Sequence, residues 1–419
     1  MLLTGLFSIG LRGLTLALRF VFVVLLVKVV PPEEYGLYTL LGSIATIFVF
    51  VTGLEFHTYA TRRFAASEDI DTRRQIIQRH FRVDCLLVPV GLLLAVVGIW
   101  SIGRLSSYNL GIVCALLVAE FAATELGRYA IILRRNVAAN AATLVRLSLW
   151  MPAAYVLVRS PSVPIPGRPV DIIASCWLAG DVVAVLICLT ALGDFRRYLT
   201  SPEGFNWRFL FEGAAKARWY YGIAIFSLLR DQADRLIIQA KMGTADLAVY
   251  GVLQNFGGII QSFVQAGFIA IYLPRLIEAF AKKDSLREKM LARRLYAQVI
   301  VLCAGISVAI WAAVPFILRY IARPEYAQVF PLLPMLLAIQ TILAISCVSH
   351  IVLYARHDDR RLFWVDLLSG LCILGGDLAL IPVYGLQGAL VTQIAVVICV
   401  AAIKLYMAGP ANSRGEIPA

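Results

Sequence analysis

Apolar residues in this chain do not recur at the spacing of a single buried helix face. They run on in long blocks, broken by short basic or Gly- and Pro-containing connections. A block of about 18 residues or more crosses a hydrocarbon core about 30 Å thick as an α-helix. Twelve such blocks are predicted, over residues 5–30, 36–57, 82–101, 107–131, 140–158, 171–191, 218–240, 245–274, 292–318, 329–354, 362–382 and 385–408. The first is too long for the apolar core of a cleaved signal, roughly 7–15 residues, and no small-residue cleavage site follows it, so it is expected to remain as the first span.

The connections alternate in charge. Those after the second, fourth, sixth, eighth and tenth blocks carry 23 Lys and Arg residues, and the opposite connections carry six. Basic loops stay in the cytoplasm, which places both termini inside for an even number of spans. Composition agrees with lipid as the solvent: 60% of the 419 residues are hydrophobic, only 15% are charged, and the mean hydropathy is +0.80. A soluble domain of this size would carry about a quarter charged residues. The net charge of +12 is mostly the cytoplasmic loop excess, spread too thinly to read as nucleic-acid binding.

A weak repeat divides the chain. The first block leaves through Glu33-Glu34-Tyr35-Gly36-Leu37-Tyr38 and the seventh through Thr244-Ala-Asp246-Leu-Ala-Val-Tyr250, an offset of 212 residues. The expected organisation is a six-span lobe (1–191), a cytoplasmic linker (192–217), a second six-span lobe (218–408) and a cytoplasmic tail (409–419). Six spans per half give both halves the same orientation, a parallel repeat that suits alternating access. Two basic stretches with apolar stripes, Ser67–Phe81 and Lys282–Tyr296, are predicted to lie on the inner leaflet as surface helices.

Charges inside the spans carry the candidate chemistry, because an Asp, Lys or Arg at mid-membrane costs about 2.5–3.5 kcal/mol unless it meets a partner or a wet cavity. The seventh span holds Arg230, Asp231, Asp234 and Arg235, whose i,i+4 spacing allows either a self-neutralised structural cluster or a role in binding and gating. Arg12 and Arg19 lie seven residues apart on one face of the first span, with Thr15 between them. Two guanidinium groups lining a cavity suit a diphosphate, which Arg meets with a planar fork of donors. Pairing with Glu55, Glu120 or Glu125 is the bland alternative. Arg146 joins the expected substrate-binding set of Arg12, Arg19, Arg230 and Arg235. Glu55, Glu120, Asp181, Asp231 and Asp234 are the expected coupling or gating carboxylates, for protons or sodium. Glu125 and Arg128 read as a local pair, and His350 as a hydrogen-bonded packing residue. The eight cysteines and four histidines show no metal-ligand spacing, and no Walker loop or nucleophile–base pair is present. No cofactor and no catalysis are expected.

Several stretches carry a family resemblance. Pro32-Glu33-Glu34-Tyr35-Gly36-Leu37-Tyr38, Asp231-Gln-Ala-Asp234-Arg235-Leu-Ile-Ile, Pro324-Glu325-Tyr326 and Ile381-Pro382-Val-Tyr384-Gly385-Leu-Gln-Gly388-Ala389 resemble the bacterial polysaccharide and O-antigen flippases, the last stretch being shared with the wider superfamily of multidrug, oligosaccharidyl-lipid and polysaccharide exporters. The resemblance implies an all-α, twelve-helix, V-shaped membrane protein with a cationic central cavity in the bacterial inner membrane. It implies turning an undecaprenyl-diphosphate-linked oligosaccharide from the cytoplasmic to the periplasmic leaflet, beside polysaccharide-assembly proteins. A cation-coupled antiporter of the multidrug and toxin extrusion type is the alternative, although it would want more acid than arginine in its cavity. A membrane polymerase or ligase would need a larger extracytoplasmic loop than any here.

Overall fold

The computed structural model describes residues 2–54, 56–67, 69–101, 108–160, 167–193, 206–282, 284–356 and 358–409. Among these residues there are helices and no strands: α1 (Leu2–Val29), α2 (Pro32–Gly53), α3 (Phe56–Ala66), α4 (Ile70–Ser101), α5 (Leu110–Ile132), α6 (Asn136–Leu144), α7 (Met151–Arg159), α8 (Pro169–Leu192), α9 (Trp207–Lys241), α10 (Thr244–Val264), α11 (Ala270–Ala281), α12 (Ser285–Ile321), α13 (Val329–Ala355), α14 (Asp359–Tyr384) and α15 (Leu386–Ala408). Short π-helical turns, Val145–Leu149 and Gln265–Ile269, join α6 to α7 and α10 to α11. The predicted spans coincide largely with helices, but 36–57 overruns α2, which ends at Gly53, and 140–158 and 245–274 are each two helices joined by a π-helical turn. Ten spans among the described residues are long and apolar enough to cross a membrane. The chain is a multi-pass membrane protein. The helix α9 stands outside that ten; it carries Arg230, Asp231, Asp234 and Arg235 near its end.

Local chemistry sets the helix ends. Asn109 caps α5 by accepting from the Ile112 amide at 3.3 Å, and Asp284 caps α12 through Arg287 at 3.0 Å. Proline occupies the first turn of α2 and α8, where no amide donor is needed. Leu54 closes α2 in the left-handed region at φ 47°, which turns the chain into α3. The two predicted surface helices are not separate elements. Residues 70–81 form the first turns of α4 and residues 285–296 those of α12, each continuous with the span that follows. No glycine or proline breaks the helix at those points. Ile76 and Ile77 are buried in packed clusters instead of facing headgroups.

The chain forms two compact units, Met1–Tyr221 and Gly222–Ala419. In the first, α5 packs along α8, and α1 lies against α6 and α7. Polar ties hold its helix starts together: the Tyr108 hydroxyl donates to the Leu37 carbonyl at 2.9 Å, and the Val170 amide donates to Glu34 at 3.2 Å. In the second unit, α15 packs on α13 and α14, and α10 on α13. On α4 the outward residues Leu86, Val90, Leu93, Leu94, Val97 and Trp100 form one exposed apolar face, as a lipid-facing span requires. Lipid leaves little hydrophobic drive between helices, so close backbone approach does the packing. A Cβ on Gly180 would sit 2.7 Å from Trp150 and one on Gly388 only 2.3 Å from the Leu380 carbonyl oxygen.

The sequence repeat has a structural counterpart. The helices α1 and α9 end at Val29 and Lys241, and α2 and α10 begin at Pro32 and Thr244, both pairs 212 residues apart.

Candidate functional site

The first unit contains an arginine on the wrong side of its helix for a structural charge. At about 100° per residue, Thr15, Phe22, Val23, Leu26, Val27 and Val30 share one face of α1, and Arg19 falls at its centre. All six neighbours on that face are buried, yet Arg19 is exposed. The packing face of α1 therefore opens at the level of Arg19. Its guanidinium lies within electrostatic range of the Tyr38 hydroxyl and has no ion pair among the described residues.

In the same unit, Glu120 of α5 accepts from Arg146 at 3.0 Å and, through its other oxygen, from the Trp177 indole at 3.1 Å. Arg146 also donates to the Thr124 hydroxyl. It reaches this position from the π-helical turn, a device that re-aims side chains within a helix. Asp181 of α8 is fully buried next to the Glu120 carboxyl, and neither of its oxygens has a hydrogen bond among the described residues. Trp150 and Trp177 stack at 5.9 Å with 3° between their planes, and Phe22 and Tyr38 continue the aromatic wall. The result is two carboxyls and one guanidinium held in an aromatic setting, with a second guanidinium at an opening.

The second unit gathers its charges around the end of α9. Arg230 pairs with Asp231 at 3.0 Å and reaches Asp366 of α14 at 3.6 Å. Asp366 also accepts from Lys404 of α15 at 2.8 Å, and Lys404 lies 3.2 Å from His350. One turn on, the buried Asp234 carboxylate accepts from the Tyr250 hydroxyl and from Gln393 at 2.7 Å, with the Arg235 amide donating at 2.6 Å. Arg235 donates to Gln232 at 3.3 Å. Asp377 is fully buried close to Asp234 and Thr392, with no hydrogen bond to either oxygen among the described residues.

Sequence expectations meet this arrangement unevenly. Glu120, Arg146 and Asp181 come together, and so do Arg230 with Asp231. The i,i+4 pairing of the seventh span does not form: Arg230 turns to Asp231 and Asp366, and Asp234 is held by Tyr250 and Gln393. For Arg230 and Asp234, partners from α10, α14 and α15 take the place of the i,i+4 contact, while Arg230–Asp231 and Arg235–Gln232 remain within α9. Glu125 pairs with Arg128 as expected. Glu55 and the side chain of Arg12 lie outside the described residues. Lys404, Asp366 and Asp377 were not anticipated; Lys404 is the one charge in the span 385–408, the two aspartates share the span 362–382, and charges in such apolar spans were the available signal.

A family model described as polysaccharide biosynthesis protein matches residues 2–280. Among curated protein sequences none matches. Solved structures share the fold at low identity. The lipid II flippase MurJ in an inward closed conformation is 10% identical, covering 96% of this chain and 87% of its own, with a TM-score of 0.72. A multidrug resistance MATE family transporter of the MOP superfamily in its inward-facing conformation is 13% identical, covering 94% and 93%, at 0.69. One in an outward-facing conformation is 10% identical, covering 96% and 93%, at 0.65. The fold is thus one shared with transporters and flippases, and the chain itself belongs to the polysaccharide biosynthesis protein family.

Proposed function

We propose that this protein is a flippase that carries an undecaprenyl-diphosphate-linked oligosaccharide from the cytoplasmic to the periplasmic leaflet of a bacterial inner membrane, for surface polysaccharide synthesis. Twelve spans with both termini cytoplasmic belong to this reading, as do contacts with polysaccharide-assembly proteins. The observation that carries it is the exposed Arg19 at the centre of an otherwise buried helix face. A guanidinium there needs an anion, and a diphosphate supplies the paired oxygens its planar donors fit. Arg12 and Arg146 are its companions in the first unit, and Arg230 and Arg235 in the second. Alternating access moves the bound headgroup between leaflets while its lipid tail stays in the bilayer. Glu120 and Asp181, together with Glu55, Asp231 and Asp234, are the groups that would couple the cycle to protons or sodium.

The test is complementation. In a strain deleted for the gene, Arg19→Ala is expected to insert normally and to abolish most surface polymer, since one charge-assisted contact is worth about 1.5–3 kcal/mol, roughly 10- to 100-fold in rate. Arg19→Lys should restore part of it. Wild-type polymer levels with Arg19→Ala would remove this residue from the mechanism.

One observation favours a second reading, a cation-coupled multidrug antiporter. The Glu120–Asp181 carboxyls sit beside Trp150 and Trp177, a setting that also suits a lipophilic cation. A deletion strain that loses drug tolerance while keeping its surface polymer would establish that reading over the first.

A further inference from the structure

The first unit holds a second polar cluster that the transport reading does not use, between α4 and α5 at the end of the helices that leads into the basic loops. We propose that His80, Asp84 and Glu125 bind a divalent transition-metal ion that clips α4 to α5. Each of the three is buried, with 1%, 3% and 3% of its surface exposed. One ligand atom from each lies within 4.8 Å of the others.

The hydrogen-bond chain fixes which atoms face the gap. The Tyr129 hydroxyl donates its single proton to Asp84 Oδ2 at 3.0 Å. Its oxygen lies 3.1 Å from His80 Nδ1 and, having no proton left to give, accepts from that nitrogen. In a neutral imidazole the Nε2 lone pair is then aimed away from Tyr129. It points at Asp84 Oδ1, 3.5 Å away, and at Glu125 Oε2, 3.9 Å away. Neither His80 Nε2 nor Asp84 Oδ1 has a hydrogen bond among the described residues. A lone pair facing two carboxylate oxygens is repulsive unless a proton or a metal cation sits between them.

Separation and charge select the cation. Zinc-type bonds of about 2.0–2.1 Å put tetrahedral ligands about 3.3 Å apart, close to the 3.5 and 3.9 Å found before any contraction. A proton on Nε2 would want one acceptor nearer, within about 3.2 Å. Arg128 pairs with Glu125, and Asp84 has no direct salt bridge to a Lys or Arg among the described residues, in an interface that also holds Phe56, Ile77 and Leu126. One imidazole with two carboxylates suits zinc or manganese better than magnesium or calcium. Tyr129, bonded to both His80 and Asp84, is the outer-shell group that orients two of the three ligands. His80 and Asp84 are one turn apart on α4 and Glu125 comes from another helix, so the ligand set leaves no spacing signature.

The full-length, tag-free protein in nanodiscs, stripped with chelator, tests this with zinc or manganese as the probe. Equilibrium dialysis with elemental analysis should give one ion per chain at micromolar concentration and a rise in unfolding temperature. Asp84→Asn keeps the shape and should weaken binding at least tenfold. Tyr129→Phe, which removes no ligand, should weaken it about 10- to 100-fold and keeps the proposal testable if the first variant fails to insert. No uptake by the stripped wild type, or uptake unchanged in both variants, overturns the proposal. A wild type that takes up no metal while His80 carries a second proton by nitrogen-15 NMR would overturn it in favour of a proton at the same place.

Discussion

The charge ledger at the centre of the second unit makes an asymmetric prediction. Asp366 is fully buried between two cations, Lys404 at 2.8 Å and Arg230 at 3.6 Å, and Lys404 itself is only 3% exposed. Removing one partner of a buried pair leaves an uncompensated charge and costs about 3–5 kcal/mol. The variants Lys404→Met and Asp366→Asn should fall at different ends of that range. In Lys404→Met the carboxylate keeps Arg230, whose attraction at 3.6 Å and an effective dielectric near 20 is about 5 kcal/mol before desolvation. In Asp366→Asn two cations are left with no shared counter-charge except Asp231 on the Arg230 side. The second change should therefore destabilise more, by roughly 1–2 kcal/mol relative to the first. Lys404→Met combined with Asp366→Asn removes both charges and should cost less than the sum of the two singles, by a coupling energy of about 1–3 kcal/mol. Unfolding in mixed micelles with increasing anionic detergent, followed by intrinsic tryptophan fluorescence, measures all four proteins on one scale. If Asp366→Asn is the milder single change, or the double variant equals the sum of the singles, the pair is not electrostatically buried and the reasoning fails.

Other consequences are simpler to state. Gly388→Ala should lower stability by at least about 1–3 kcal/mol, because the new methyl meets the Leu380 backbone at 2.3 Å and backbone cannot turn aside. Gly258→Ala, a helical position with nothing within 4 Å, should instead gain about 0.5–1 kcal/mol, and thermal unfolding of the two variants side by side checks the contrast. Asp69, outside the spans, is held below its ordinary 3.8 by hydrogen bonds from the Thr72 side chain and amide. A depressed carboxyl stabilises above its unfolded value and loses that contribution as pH falls through the folded one. Amide protection in the first turn of α4, taken as exchange relative to the intrinsic rate at the same pH, should accordingly fall on acidification below about pH 4, and Asp69→Ala should flatten that fall.

Length and apolarity made the spans legible, because a helix in lipid must satisfy its own backbone and so announces itself residue by residue. The repeat was legible for a related reason: the ends of α1 and α2 recur at α9 and α10, where turn chemistry repeats even though interiors have diverged. Pairings were legible only where both partners share a helix, as with Glu125 and Arg128. Those of Asp366 with Lys404, or His80 with Glu125, join separate helices whose rotation about their own axes is set by packing, and no single-sequence spacing encodes that. In 285–296, where Leu286 and Met290 are exposed, only the separation from the following span was misread; 70–81 was misread because an amphipathic stripe looks the same whether it meets headgroups or a neighbouring helix. For Ile76 and Ile77 it meets the neighbours.

The π-helical turn at Val145–Leu149 changes what the fifth span can tolerate. Such a turn holds one residue more than an ordinary one. Elsewhere in a span, losing a residue would swing everything downstream by about 100° around the axis and send a buried face into lipid. Here the slack can absorb the loss by tightening, which would spare α7 its orientation and swing only Arg146 away from Glu120. Length variation within the span thus has a place to accumulate that disarms the arginine and leaves the helix correctly seated.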